Sequence, residues 1–138
     1  MKLAIVEDEV ILTMALTLML EGWGHEVVGT ADAEASAVAM VAAARPDAVL
    51  MDIRLGQQEC GLNAARIIRR DIDVPIIFCT AYAASDALQG EVRALGNAHL
   101  VGKPVDEEQL EGLLRSIEQR ARDEAPAASR LATPVDLS

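Results

Sequence analysis

The residues from 48 to 52, Ala-Val-Leu-Met-Asp, constrain the fold of this chain more than any other segment. Val49, Leu50 and Met51 place apolar side chains on both faces of a β-strand, which is the pattern of a central parallel strand covered by helices on both sides. Open α/β sheets bind ligands at the carboxyl ends of their strands, so Asp52 is predicted to lie at a site. The alternative is that Asp52 only begins a loop, as Asp often does.

Segments with strand and helix patterns alternate along the chain in five pairs. The predicted strands are 3–6, 27–28, 48–52, 75–79 and 99–102, and the predicted helices are 10–20, 33–44, 62–70, 83–95 and 105–122. Gly90 weakens the fourth helix. The alternation predicts an α/β fold with a doubly wound five-stranded parallel sheet and right-handed crossovers.

Two helices show which of their faces is predicted to meet the sheet. In the first helix the core stripe consists of Leu12, Leu16, Met19 and Leu20, at the spacing of an amphipathic helix. In the third helix the inward residues are Leu62, Ala65 and Ile68, and the outward residues are Arg66, Arg69 and Arg70.

Composition limits the partners and the compartment. A chain of 138 residues fits one domain, predicted over 1–122, and residues 123–138 are predicted to be a disordered tail of Ala, Pro, Ser and Thr with few apolar groups. A net charge of −10 disfavours nucleic acid and membrane surfaces. Cys60 and Cys79 have no metal-ligand spacing, and no signal peptide or membrane span is apparent, which predicts a cytoplasmic protein with reduced thiols.

Polar side chains gather at the predicted strand ends. Glu7 and Asp8 follow the first strand, Asp52 ends the third, Thr80 follows the fourth and Lys103 follows the fifth. Three adjacent carboxylates repel one another unless a divalent cation or Lys103 offsets their charge, and oxygen ligands of this kind suit Mg²⁺. A cation, an ammonium and a hydroxyl together can bind the three oxygens of a phosphoryl group.

With these residues in place, the chain resembles the receiver domain of two-component response regulators over residues 2 to about 121. The resemblance implies a flavodoxin-like (βα)5 fold in which Asp52 accepts a phosphoryl group, Thr80 is the switch hydroxyl and Lys103 precedes a cis-type Pro104. It also implies Mg²⁺ as the cofactor. The ligands would be Asp52, Asp8, the backbone carbonyl of Arg54 and, through water, Glu7.

The chain departs from the usual receiver pattern in several places. Glu7 replaces the commoner Asp, and Leu100 replaces an aromatic switch residue. After Asp52, where the family usually has a Met-Pro pair and then Gly, Leu55-Gly56 precedes the residues from Gln57 to Gly61. Residues 78–82, Phe-Cys-Thr-Ala-Tyr, resemble the Phe-x-Thr-x-Tyr variety of receiver, so Tyr82 is predicted to take part in switching. The alternative is that Tyr82 is only a surface ring.

A second apolar stripe on the first helix consists of Ile11, Met14 and Leu18. It predicts either a partner-binding face or extra core burial. In the resembled family this face docks the kinase together with the loop after the fifth strand, which here contains Pro104 and Val105.

The leading functional hypothesis is a single-domain response regulator with no enzymatic role beyond its own phosphotransfer and autodephosphorylation. A histidine kinase or histidine phosphotransfer protein would phosphorylate Asp52, and a downstream protein would read the changed surface. The tail is too short for a DNA-binding fold, so the expected output is a protein contact, a phosphate relay or sink, or competition for a kinase. One alternative is an interaction module that works without phosphorylation. The other is a haloacid-dehalogenase-type phosphohydrolase, which Arg54 disfavours because that family expects an acid there.

Overall fold

The computed structural model describes residues 1–55 and 59–124, with the backbone alone at Glu59. The chain forms two compact units, Met1–Asp106 and a second that begins at Glu107. The strands are β1 Lys2–Val6, β2 Glu26–Ala31, β3 Ala48–Asp52, β4 Arg54–Leu55, β5 Glu59–Cys60, β6 Ile76–Thr80 and β7 Ala98–Gly102. The helices are α1 Val10–Gly22, α2 Glu34–Ala44, α3 Gly61–Asp71, α4 Asp86–Leu95 and α5 Glu107–Asp123.

The first unit contains a five-stranded parallel sheet in the order β2-β1-β3-β6-β7. All five residues of β3 are buried at its centre, as the apolar run predicts. The chain moves outward in one direction from β1 and in the other from β3, so the strand order reverses between these two strands. Ligands of open α/β sheets bind outside the strand ends at such a reversal. The predicted fold class is confirmed, and it brings the ends of β1 and β3 side by side.

The bounds of several elements differ from the sequence prediction for local reasons. Strand β2 is six residues long because its pairing with β1 runs from Glu26 opposite Lys2 to Ala31 opposite Val6, with one register shift between Leu3 and Ala4. Helix α4 begins at Asp86 instead of 83, because the hydroxyl of Ser85 caps it by accepting a hydrogen bond from the Leu88 amide at 3.3 Å. The predicted loop after Asp52 contains a two-stranded antiparallel sheet formed by β4 and β5, and its residues 56–58 lie outside the described part of the chain.

The outward orientation predicted for Arg69 is wrong. Its side chain is only 15% exposed, and its guanidinium donates hydrogen bonds to the carbonyls of Gly96 at 2.6 Å and Val74 at 2.8 Å. Another hydrogen bond goes to the carbonyl of Asn97 at 3.1 Å. Arg66 and Arg70 are exposed, as predicted. Sequence spacing alone did not distinguish an arginine facing solvent from one that binds the backbone of a neighbouring element.

The second unit contains α5. Leu110, Leu114 and Ile117 are buried along this helix and Leu113 is half-buried, in agreement with the predicted apolar stripe. The predicted tail lies, from residue 125 on, outside the described residues. Among the helices of the described residues, none combines the length and the apolar character that crossing a membrane requires.

Candidate functional site

Three carboxylates meet at the carboxyl edge of the sheet. Glu7 and Asp8 follow β1, Asp52 ends β3, and one oxygen from each lies within 4.8 Å of the others. Glu7 is 4% exposed and Asp52 is 9% exposed, whereas Asp8 is open to solvent. The acidic cluster predicted from the strand ends therefore exists, and two of its members are nearly buried.

Lys103 supplies positive charge to this cluster from the loop after β7. Its Nζ lies 2.9 Å from Asp52 Oδ2 and 3.5 Å from Glu7 Oε2. The Lys103 amide also donates to the Thr80 carbonyl at 2.8 Å, which fixes the start of the loop beside β6. The bond between Lys103 and Pro104 is cis, the form that the resemblance implies.

The electrostatics of the cluster follow from burial and charge. Burial raises the pKa of Glu7 to about 7, and the nearby charge of Asp52 contributes to the rise, against the opposing effects of the Glu9 amide and Lys103. Burial by itself lowers the pKa of Lys103, but its hydrogen bond and ion pair with Asp52, together with Glu7, raise it overall. Lys103 therefore stays positively charged beside the carboxylates. Additional negative charge at the cluster is unfavourable, and a bound cation is favoured.

The Asp52 carboxylate is oriented from two sides. Its Oδ2 binds Lys103, and its Oδ1 accepts a hydrogen bond from the Arg54 amide at 3.0 Å. Gly61 lets the chain return close to this strand, because an added Cβ would overlap the Asp52 carbonyl oxygen. The Gly61 amide also donates to the Ile53 carbonyl at 2.6 Å. A glycine at position 61 thus shapes the loop that follows Asp52, a role that the sequence analysis did not assign.

Thr80 is the last residue of β6. Because β6 is parallel to β3 and pairs with it, Thr80 lies at the same edge of the sheet as Asp52. Thr80 is buried, and its Oγ1 accepts a hydrogen bond from the Tyr82 amide at 3.1 Å. The hydroxyl retains its proton for donation to another group. Thr80 therefore connects the site to the segment that carries Tyr82.

Tyr82 is 58% exposed, and the Arg54 guanidinium lies above its ring. The distance from the Arg54 Cζ to the ring centroid is 5.5 Å, which is within the range of a cation–π contact. Such contacts contribute about 0.5–1 kcal/mol at exposed sites. The sequence analysis assigned the Arg54 backbone to the site and did not foresee this side-chain contact.

A groove of about 390 Å³ opens beside the carboxylates. It lies between the start of α1, the end of β2 and the start of α2, and its lining includes Glu7, Asp8, Thr13, Met14 and Asp32. Of the three carboxylates, Glu7 and Asp8 line this groove.

The second apolar stripe of α1 is exposed and does not form part of the core. Ile11 is 83% exposed, Met14 61% and Leu18 73%, and Val10, which the sequence analysis did not select, is 73% exposed. Pro104 is exposed and Val105 is half-buried. Of the two readings of this stripe, extra core burial is wrong, and partner binding stays a prediction.

Comparison with known proteins gives the family. Residues 3–115 match the model of the response regulator receiver domain. The chain is 38% identical over 82 residues to the phyllosphere-induced regulator PhyR of Methylorubrum extorquens, covering 59% of this chain and 31% of that protein. It is 33% identical over 100 residues to the transcriptional regulatory protein PdtaR of Mycobacterium tuberculosis, covering 72% of this chain and 48% of that protein.

A solved structure gives the same assignment. The receiver domain of the PhyR response regulator from Erythrobacter litoralis superposes with a TM-score of 0.73 at 33% identity, covering 84% of this chain and 88% of that one. The chain spans about a third to a half of the length of the two curated relatives. The chain belongs to the response regulator receiver domain family.

Proposed function

We propose that this chain accepts a phosphoryl group on Asp52 from a histidine kinase or a histidine phosphotransfer protein. The observation that carries the proposal is the position of the Asp52 carboxylate, held between Lys103 Nζ at 2.9 Å and the Arg54 amide at 3.0 Å, beside two further carboxylates. An Asp52 oxygen attacks phosphorus as the bond from phosphorus to the donor's imidazole nitrogen breaks, and the electron pair of that bond stays on the nitrogen.

The acidic cluster fits a magnesium ion. Hard carboxylate oxygens from Glu7, Asp8 and Asp52 lie within 4.8 Å of one another, and Mg²⁺ prefers a few such ligands together with water. Asp8, Asp52 and the Arg54 carbonyl would hold it directly, and Glu7 would hold it through water. Mg²⁺ held by these residues would offset the negative charge of the phosphoryl oxygens.

Lys103 and Thr80 act on the phosphorylated form. Lys103 already binds Asp52 and pairs with one phosphoryl oxygen, and the Thr80 hydroxyl donates to another. Turning the Thr80 hydroxyl toward the phosphoryl group removes the acceptor of the Tyr82 amide, so the segment after β6 rearranges. Tyr82 then signals to a protein partner whether Asp52 is phosphorylated. It takes over the role of the aromatic switch residue that Leu100 replaces in this chain.

The proposed partners are proteins. The exposed residues of α1, which are Val10, Ile11, Met14 and Leu18, suit docking against a helical bundle next to the groove that Glu7 and Asp8 line. A solved relative from Bartonella quintana is the anti-anti-sigma factor PhyR, which supports a protein-binding output for this chain too.

Free Cys60 and Cys79 agree with a location in the cytoplasm, and we assign the chain no catalytic output of its own.

The decisive experiment is phosphorylation with a small acyl phosphate donor and Mg²⁺, followed by intact mass spectrometry. The wild type should gain one phosphoryl mass, which peptide mapping places on Asp52. Asp52→Asn or excess EDTA should abolish the gain, because the acceptor or the cation is lost. Asp47→Asn is the matched control, since Asp47 lies at the opposite end of β3, and it should be phosphorylated normally. Undiminished incorporation in Asp52→Asn would show that the site is misassigned.

A further inference from the structure

The side chain and the backbone of Arg54 make two separate contacts. The guanidinium sits over the Tyr82 ring at 5.5 Å, while the amide of the same residue binds Asp52 Oδ1 at 3.0 Å. Residue Arg54 is exposed, and no ion pair to it is present among the described residues. Arg54 therefore joins the phosphoryl acceptor to the proposed switch residue.

Phosphorylation changes the charge balance beside Arg54. Replacing the Asp52 carboxylate by an acyl phosphate would add up to about one negative charge beside Glu7 and Asp8, where Lys103 is the cation already in place. Arg54 is the next cation along the chain from the acceptor. A planar guanidinium binds phosphoryl oxygens with two parallel, charge-assisted hydrogen bonds, a stronger interaction than an exposed contact with a ring.

We propose that Arg54 changes partners on phosphorylation, leaving the Tyr82 ring to bind the phosphoryl group and so releasing the ring. The inference rests on the proposed phosphorylation of Asp52. Two contacts then hold Tyr82 in the unphosphorylated state, the Arg54 guanidinium over its ring and the Thr80 hydroxyl at its amide. Both are withdrawn toward the same phosphoryl group, so the release of Tyr82 follows the modification directly.

The chain is well suited to a spectroscopic test. Tyr82 is the only tyrosine in the sequence, so its ring gives one set of NMR signals, and the Arg54 Nε–H reports the other side of the contact through the ring current. Both signals are recorded before and after phosphorylation with a small acyl phosphate and Mg²⁺. Intact mass of the same samples records how much phosphoryl group is bound.

In the wild type we expect both signals to shift on phosphorylation, with the Arg54 signal losing its ring-current displacement. In unphosphorylated Arg54→Ala the ring signals should already lie toward their phosphorylated positions, and the further shift on phosphorylation should fall by at least half. Tyr82→Leu should abolish the ring-current displacement of Arg54, whereas Tyr82→Phe should keep it because the ring is retained. Arg54→Lys should give an intermediate ring shift, since it keeps the charge without the planar group.

The matched control is Arg66→Ala, which removes an exposed arginine on α3 and should leave the Tyr82 shift at its wild-type size. A full wild-type ring shift in phosphorylated Arg54→Ala would overturn the inference, as would an equal loss of shift in Arg66→Ala. A wild-type chain that gains no phosphoryl mass would overturn the proposed function, and this inference with it.

Discussion

At the scale of single residues, burial decides how similar side chains behave. Glu7 and Asp8 are adjacent acids, yet Glu7 is 4% exposed with a raised pKa and Asp8 is open to solvent. Cys60 and Cys79 differ in the same way, since Cys60 is half-buried and Cys79 is 4% exposed within β6. The environment of each residue, and not its type, sets its chemistry.

The two cysteines give a prediction at this scale. Burial raises the pKa of the Cys79 thiol to about 12, so its reactive thiolate is scarce at about pH 8. Native protein treated with iodoacetamide should be alkylated at Cys60 alone, and Cys79 should react only after unfolding. Peptide mass spectrometry locates the modification, and native Cys60→Ser should take up no label. Fast labelling of Cys79 in the native protein would contradict its burial.

At the scale of elements, Arg69 ties α3 to the turn between α4 and β7. Its hydrogen bonds to the carbonyls of Gly96 and Asn97 occupy backbone acceptors at the end of α4, where Asn97 adopts a left-handed conformation with φ of 46°. Val92 is buried and Leu95 packs against the core, so this arginine adds polar contacts to the apolar packing at the end of α4.

Arg69→Ala should lower the free energy of unfolding by about 2–3 kcal/mol, because several charged hydrogen bonds to partly buried carbonyls are lost. Urea denaturation measures the loss, and hydrogen exchange should increase at residues 95–99. Arg66→Ala is the control and should change stability by less than about 0.5 kcal/mol, since Arg66 is exposed and its hydrogen bond is to the exposed side chain of Asn63. Equal effects of the two variants would show that the contacts of Arg69 contribute nothing.

Helix α1 has an apolar face that the first unit leaves uncovered. Met14→Asp should leave stability nearly unchanged because Met14 is 61% exposed, and it should leave phosphorylation by a small donor intact. Transfer from the cognate kinase should slow, because a charge replaces an apolar contact in the proposed docking face. The measurement is the rate of phosphoryl transfer from each donor. A matched slowing with both donors would place Met14 outside the docking face.

At the scale of the whole molecule, the parallel sheet brings together residues that are far apart in the sequence. Glu7, Asp52 and Lys103 follow or end β1, β3 and β7, and all three strands point the same way. Lys103 is 96 residues from Glu7, yet their charged atoms lie 3.5 Å apart. The topology of the sheet therefore forms the site. The charges that meet there affect the free energy of unfolding.

Lys103→Gln should lower the free energy of unfolding by about 1–3 kcal/mol in EDTA, because two nearly buried carboxylates lose the positive charge of the lysine. The loss is moderate because the lysine side chain is a quarter exposed. Millimolar Mg²⁺ should stabilise this variant more than the wild type, since no ammonium competes for the carboxylates. Thermal unfolding with and without Mg²⁺ measures both effects. Lys2→Gln, at the opposite end of β1, is the control. Identical Mg²⁺ responses of wild type and Lys103→Gln would argue against a cation at the cluster.

The sequence by itself determined the order of the elements and the edge at which the polar residues meet. A fully apolar run such as Val49–Met51 is typical of a covered central strand, and parallel strands must end at one edge, so Asp52, Thr80 and Lys103 were predicted as neighbours from local pattern alone. The resemblance to receivers added their proposed roles. Each of the inferences from pattern depends on short-range periodicity, which a sequence displays directly.

Only the tertiary structure decided how individual side chains are used. The bonds of Arg69 to the end of α4, the Arg54 guanidinium over Tyr82 and the clearance that Gly61 gives the Asp52 carbonyl all join positions on different elements. The edge strand β2 was likewise longer than its apolar pattern, because pairing with β1 and not hydrophobicity sets its length. Such contacts depend on distances between elements, which packing fixes and periodicity does not encode.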